Sequence, residues 1–155
     1  LLEACHERGI HTAMETCGQT SWANFTALLP HLDQLLYDIK AMDPDVHARL
    51  TGAPNHRILD NLRRLAGNGV AMTIRQVVIP GHNDSEEDLH QLGEFVMGLA
   101  RTPPVELLPY HGYGIPKYEQ LGRSYSLHEL EPPTQERMLH LRDLVRDHGA
   151  RCDIV

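Results

Sequence analysis

VAMTIRQVVIPG, the sequence of residues 70–81, is rich in β-branched residues and ends at a Pro-Gly pair. β-branched side chains pack well on a pleated sheet and Pro-Gly ends a strand, so this run predicts a buried strand. The next residues, Asn83-Asp84-Ser85-Glu86-Glu87, have the capping pattern that begins a helix. A strand followed directly by a helix is the repeating unit of a parallel α/β sheet.

The same alternation continues along the chain in both directions. Strands are predicted over residues 10–16, 35–39, 70–79, 105–110 and 150–155. Helices, caps included, are predicted over residues 22–32, 43–50, 55–66, 83–99 and 132–148. Right-handed connections between such units give a parallel sheet, so the fold class is α/β, as an open sheet or as part of a barrel. We expect residues 1–155 to form a single domain.

Composition restricts the function of the chain. It has 155 residues, 14 Lys and Arg against 21 Asp and Glu, and 5% aromatic residues. Without a basic tract or a long apolar run, neither a nucleic acid nor a membrane is expected as a partner. Cys5, Cys17 and Cys152 are too irregularly spaced for a disulfide framework or a zinc site. We therefore expect buried cysteines in a cytoplasmic protein, and histidines on helices, such as His47, at the surface.

Ligands of parallel α/β sheets collect beyond the carboxyl ends of the strands, and the second predicted strand ends in charge. Side chains alternate along a strand, so Leu36, Asp38 and Lys40 share one face while Tyr37 and Ile39 share the other. Two charges where apolar side chains are expected indicate pairing or a polar ligand. The alternative is that the strand ends near Tyr37 and both charges are solvated.

Three other strand ends also carry polar groups. Glu15 and Thr16 end the first strand, and Glu15 is either an ordinary surface acid or, with Asp38, half of an acidic site for an ammonium group or a cation. Arg75 lies within the third strand and either contacts a ligand or forms a structural ion pair. His111 follows the fourth strand, where it can stack on a planar ligand or carry a proton.

Taken together, the strand ends resemble the glycyl-radical-enzyme activating enzymes of the pyruvate formate-lyase activating type, which are radical S-adenosylmethionine (SAM) enzymes. The matching runs are Met14-Glu15-Thr16-Cys17-Gly18, Tyr37-Asp38-Ile39-Lys40, Ile74-Arg75 with Val78-Ile79-Pro80-Gly81-His82-Asn83-Asp84, Glu106-Leu107-Leu108-Pro109-Tyr110-His111, and Lys117-Tyr118 with Leu121-Gly122.

This resemblance implies an oxidoreductase with a partial (β/α)6 TIM-like barrel, a parallel sheet and outer helices. In that family, SAM bound to a [4Fe-4S] cluster yields a 5′-deoxyadenosyl radical, which abstracts hydrogen from a glycine of a partner glycyl radical enzyme, a formate-lyase or a related enzyme. The electron comes from a reductant such as flavodoxin or ferredoxin.

The resemblance also implies roles for individual residues. Asp38 and Lys40 would hold the ribose and the methionine carboxylate of SAM. Glu15 and Thr16 would lie at its amino group and at a monovalent-cation site that Asp38 shares. The adenine pocket would be lined by Val77, Leu108 and His111.

The chain departs from the family in two ways. The Cys-x3-Cys-x2-Cys loop that holds the cluster is absent, and residues 1–9 resemble the last turns of a helix. We therefore expect the C-terminal portion of the barrel, without its cluster-binding part and inactive alone. The second departure is Glu15, because the family commonly has Asp there.

Two other functions are weighed against this one. One is a barrel lyase in which Lys40 forms a Schiff base and Asp38 is the neighbouring acid or base. The other is a docking module, in which a long polar loop over residues 112–131 binds a partner through Tyr113, Tyr118 and Tyr125.

Overall fold

The computed structural model describes all residues, 1–155, as a five-stranded parallel sheet with the strands in sequence order. The strands are β1 (Ala13–Thr16), β2 (Gln34–Asp38), β3 (Ala71–Val78), β4 (Val105–Pro109) and β5 (Cys152–Ile154). The α-helices are α1 (Leu2–His6), α2 (Trp22–Leu28), α3 (Pro44–Thr51), α4 (His56–Asn68), α5 (Glu86–Met97), α6 (Ile115–Gln120) and α7 (Gln135–Asp147).

Strand order decides between the two sheet architectures. Each strand pairs with the next one in the chain, so successive right-handed crossovers place their helices on the same side of the sheet. That arrangement is the one found in a barrel, whereas a doubly wound sheet reverses its strand order. The predicted class, α/β with a parallel sheet and outer helices, is confirmed.

The core lies between the sheet and these helices. Leu35, Tyr37 and Ile39 are fully buried on the helix side, whereas Leu36, Asp38 and Lys40 are only partly buried. The alternation predicted for β2 is therefore confirmed, and the side chains of its other face remain available for chemistry.

Several predicted boundaries change for local reasons. The first strand starts at Ala13, because the backbone and hydroxyl of Thr12 bind the carboxylate of Asp33. These hydrogen bonds hold the pKa of Asp33 below its ordinary value. The predicted loop over residues 112–131 contains a 3-10 helix, Gly112–Gly114, and α6.

Two expectations about burial are wrong. His47 is buried, and its Nδ1 lies 2.7 Å from the carbonyl oxygen of Ala53. Of the cysteines, Cys152 is buried, but Cys17 is exposed and Cys5 is intermediate. None of the helices is both long enough and apolar enough to cross a bilayer.

Candidate functional site

A row of charged side chains crosses the face of the sheet that the helices leave open. Asp38, Arg75 and Glu106 are in register on β2, β3 and β4. Lys40 Nζ lies 3.1 Å from Asp38 Oδ2. Arg75 lies between two glutamates, with its Nη1 3.3 Å from Glu15 Oε2 and its Nε 3.2 Å from Glu106 Oε2. The two cations and three carboxylates of this row therefore form two separate groups: Lys40 pairs with Asp38, and Arg75 pairs with both glutamates.

The geometry of these ion pairs answers two questions left by the sequence. Asp38 and Lys40 are paired with each other rather than separately solvated, and the backbone of Ile39 still bonds to β3 through Arg75 O at 2.9 Å. Arg75 forms the structural ion pairs that were one of its two expected roles. Its Nε faces Glu106 without hydrogen-bond alignment, so this contact is electrostatic. Glu15 contacts Arg75, which reaches across β2.

Thr16 lies apart from this row. Consecutive residues of a strand point to opposite faces, so Thr16 and Glu15 lie on opposite sides of β1. The Thr16 hydroxyl accepts a hydrogen bond from the backbone N–H of Gly18 at 3.0 Å. Its side chain lines a cavity on the helix side with Met14 and Phe25. The structure thus brings Glu15 to the charged row but not the side chain of Thr16.

The apolar candidates follow the charged row toward the carboxyl end of the sheet. Val77 and Leu108 are in register, two residues beyond Arg75 and Glu106, and therefore on the same face. His111 follows the end of β4 and is exposed; its ring centroid lies 4.2 Å from that of Tyr113. The Tyr113 backbone N–H donates to His111 Nδ1 at 3.3 Å.

Asp38, Lys40 and His111 lie at the same edge of the sheet, at the carboxyl ends of β2 and β4. The five main cavities of the chain are lined by other residues. The candidate site is an open rim, because Asp38 and Lys40 are partly exposed and His111 is exposed.

Buried amides and one buried acid hold the loops at this rim. Asn61 donates to the carbonyl oxygens of Gly18 and Thr20, both at 2.9 Å. Asn83 donates to the carbonyl oxygens of Lys40 and Val77. These residues are 4% and 1% exposed. Their shared role is to fix loop backbones beside the charged row.

Asp88 fixes the loop that follows β2. Its carboxylate accepts hydrogen bonds from the backbone N–H groups of Met42 and Asp43 and from the side chain of Gln76. Burial raises the pKa of Asp88 above its ordinary value. The sequence prediction missed the role of Asp88 and of the amides, because a polar residue in a capping motif or helix does not reveal which distant carbonyl or N–H it meets.

The chain has no cluster of metal ligands of its own. No group of three or more His, Cys, Asp or Glu side chains is arranged to hold a metal ion. Glu15 and Asp38, two members of the predicted cation site, each form an ion pair with a basic side chain.

A protein-family model and several curated proteins match this chain. The model of the Radical SAM superfamily matches residues 1–93. The chain is 36% identical to the indoleacetate decarboxylase activating enzyme of Tractidigestivibacter scatoligenes, over 99% of the chain and 49% of that protein. It is 35% identical to the pyruvate formate-lyase 1-activating enzyme of Escherichia coli strain K12, over 94% of the chain and 60% of that protein. It thus spans about half the length of these relatives.

Solved structures share the fold. A domain of pyruvate-formate lyase-activating enzyme from Bacteroides vulgatus superposes with a TM-score of 0.84 at 28% identity, over 99% of this chain and 86% of that one. A radical SAM methyltransferase from Sphaerobacter thermophilus superposes with a TM-score of 0.72 at 20% identity, over 96% of this chain and 42% of that one. At that lower identity, the likeness concerns the fold alone.

Proposed function

This chain belongs to the radical SAM superfamily, and we propose that it is the SAM-binding portion of a glycyl-radical-enzyme activating enzyme of the pyruvate formate-lyase activating type, acting in the cytoplasm. The observation that carries the proposal is the ion pair of Asp38 and Lys40 at the carboxyl end of β2. Similarity to activating enzymes over nearly the whole chain supports it.

The charged row suits the methionyl part of SAM, which carries a carboxylate and an ammonium group. The side chains of Lys40 and Asp38 are 33% and 17% exposed, so both are partly desolvated and still within reach of a ligand. We assign Lys40 to the methionine carboxylate and Asp38 to the ribose hydroxyls. Their mutual ion pair orients the side chains of Lys40 and Asp38 before SAM binds, which lowers the conformational entropy lost on binding.

The adenine ring requires apolar contacts and a stacking partner. Val77 and Leu108 supply adjacent apolar side chains on the face that carries Asp38. His111 is exposed at the same edge, and because its ring already packs against that of Tyr113, its other face would stack on adenine. We assign these three residues to the adenine.

For the amino group of SAM and a monovalent cation beside it, we propose Glu15, Thr16 and Asp38. Since the side chain of Thr16 lies on the opposite face of β1, its contribution would be the backbone carbonyl oxygen. Glu15 would have to exchange part of its contact with Arg75 for the new ligand.

The cysteines of this chain do not fit the [4Fe-4S] cluster of the family. Cys152 is buried on the helix side and Cys17 is exposed, and the two are not part of any group that could hold a metal. We therefore propose that the cluster ligands lie outside these 155 residues and that the chain alone is inactive. There, one electron from flavodoxin or ferredoxin, passed through the cluster, would cleave SAM into methionine and a 5′-deoxyadenosyl radical, and that radical would abstract hydrogen from a glycine of the partner.

The partner, a formate-lyase or a related glycyl radical enzyme, would dock on residues 112–131. Tyr113 and Leu121 are 81% and 68% exposed, and Tyr118 is 41% exposed. Tyr125 packs on Tyr118 with their ring centroids 4.8 Å apart, so it supports the surface rather than projecting from it. A peptide with the partner's glycine loop should bind the parent more tightly than the Tyr118→Ala variant, and equal affinities would remove Tyr118 from the docking surface.

The proposal is tested by SAM binding to the intact protein, measured by calorimetry. Lys40→Met should weaken SAM binding at least tenfold, because it removes the ammonium group assigned to the methionine carboxylate of SAM. Lys117→Met is the matched control, since Lys117 is the other lysine of the chain and lies in the exposed α6. Equal affinities in the two variants would refute the assignment of Lys40. Borohydride trapping of a carbonyl substrate on Lys40 would instead support the lyase.

A further inference from the structure

We propose that Asn83 is a positioning residue for the SAM site, because it holds the backbone of Lys40 against β3. This inference rests on the proposed function for its effect on SAM, but the contact itself belongs to the fold. Asn83 lies in the turn between β3 and α5 and is 1% exposed.

Asn83 acts where the regular pairing of β2 and β3 ends. The last residues of these strands in register are Asp38 and Arg75. Two residues later, the Asn83 Nδ2 group donates to Lys40 O at 2.7 Å and to Val77 O at 2.8 Å. A single side-chain amide thus links the two strands beyond their last pair, at two residues assigned to SAM.

The amide is itself held in place from both sides. Asn83 Oδ1 accepts a hydrogen bond from the backbone N–H of Ile79 at 2.7 Å. The turn is closed by Gly81, whose N–H donates to Asp84 Oδ1 at 2.7 Å, and Asp84 forms an ion pair with Arg137 of α7. Asn83 is therefore bonded to β2 and to the end of β3, and the neighbouring Asp84 links the same turn to α7.

The chemistry of this position requires an amide. Two carbonyl oxygens must each receive a hydrogen, and one backbone N–H must meet an acceptor, which the NH2 and C=O of Asn supply together. An ionised Asp has no hydrogen to donate and would face two carbonyl oxygens with negative charge. Asn83→Asp is nearly isosteric, so it removes the link without leaving a cavity.

A double-mutant cycle on SAM affinity separates positioning from general destabilisation. In the intact protein, Asn83→Asp should weaken SAM binding about tenfold when Lys40 is present, and less than threefold in the Lys40→Met background. Asn61→Asp is the matched control, because Asn61 is a buried amide with two carbonyl partners elsewhere. Its effect should be the same in both backgrounds. An Asn83 effect that is equally large with and without Lys40 would overturn the inference while leaving the proposed function intact.

Hydrogen exchange without SAM provides a readout that does not depend on the proposed function. Asn83→Asp should speed amide exchange in residues 38–43 at least tenfold, and Asn61→Asp should not. Unchanged exchange there would overturn the positioning role even if SAM affinity fell. Failure of the parent to bind SAM would instead overturn the proposed function. If Asn83→Asp does not fold, Asn83→Ser, which keeps one donor and one acceptor, should show the same pattern at smaller size.

Discussion

Substitution of Gly18 by Ala should be among the most damaging small changes in the chain. Gly18 follows β1 with φ +71°, and an added Cβ would lie 1.7 Å from Tyr37 Oη and 2.2 Å from Tyr37 Cζ. Tyr37 is fully buried, and its hydroxyl donates to Ile58 O at 2.7 Å. The loop backbone and the Tyr37 ring therefore cannot both keep their positions.

The expected cost has two sources. A non-glycine residue in the left-handed region costs about 1–2 kcal/mol. Displacing Tyr37 leaves buried polar groups without partners, which costs about 1–3 kcal/mol more. Gly18→Ala should therefore lower the free energy of unfolding by about 2–5 kcal/mol. Gly52→Ala is the control, because Gly52 has φ +86° with no atom near the added Cβ. It should cost only about 1–2 kcal/mol.

Urea unfolding of the two variants, followed by the fluorescence of Trp22, measures both costs. Trp22 is the single tryptophan of the chain. In a Tyr37→Leu background, the cost of Gly18→Ala should fall to that of Gly52→Ala, because the ring no longer blocks the Cβ. Equal costs for the two glycine substitutions in the parent would refute the close approach of Gly18 and Tyr37.

Three further predictions concern a helix cap and two thiols. Asp43→Ala should lower the free energy of unfolding by about 1 kcal/mol, because the Asp43 carboxylate accepts from the N–H groups of Asp45 and Val46; Asp45→Ala, measured in the same urea titration, should cost less. At pH 8, a disulfide reagent should modify exposed Cys17 rapidly and buried Cys152 only after unfolding; prompt reaction of two thiols, with one assigned to Cys152 by mass spectrometry, would contradict its burial. Burial raises the pKa of Cys152 to about 12 from 9.0, so as pH rises this thiol ionises first in the unfolded chain. The contribution of the protonated Cys152 thiol to stability is therefore complete below about pH 9 and is lost as pH rises toward 12. Between pH 9 and 11, unfolding free energy should therefore fall more steeply in the parent than in Cys152→Ala, and parallel curves would contradict this.

The candidate site divides into parts that follow from local sequence and parts that do not. Alternation along β2 was sufficient to separate Asp38 and Lys40 from Tyr37, because the period of a strand depends only on its own backbone. Glu15 and Thr16 were expected at one site, but the structure puts their side chains on opposite faces of β1, as the same period requires. The partner of Glu15 is Arg75, two strands away, which no local pattern identifies.

The sequence by itself determined that strands and helices alternate, that the sheet is parallel, and which side chains of β2 face away from the core. Only the tertiary structure decided that Arg75 joins Glu15 to Glu106, that Asn83 links Lys40 to Val77, and that Gly18 must leave room for Tyr37. The physical reason is the distance along the chain over which each interaction acts. Periodicity and capping act between neighbours a few residues apart, whereas these contacts join segments brought together only when the strands take their places in the sheet.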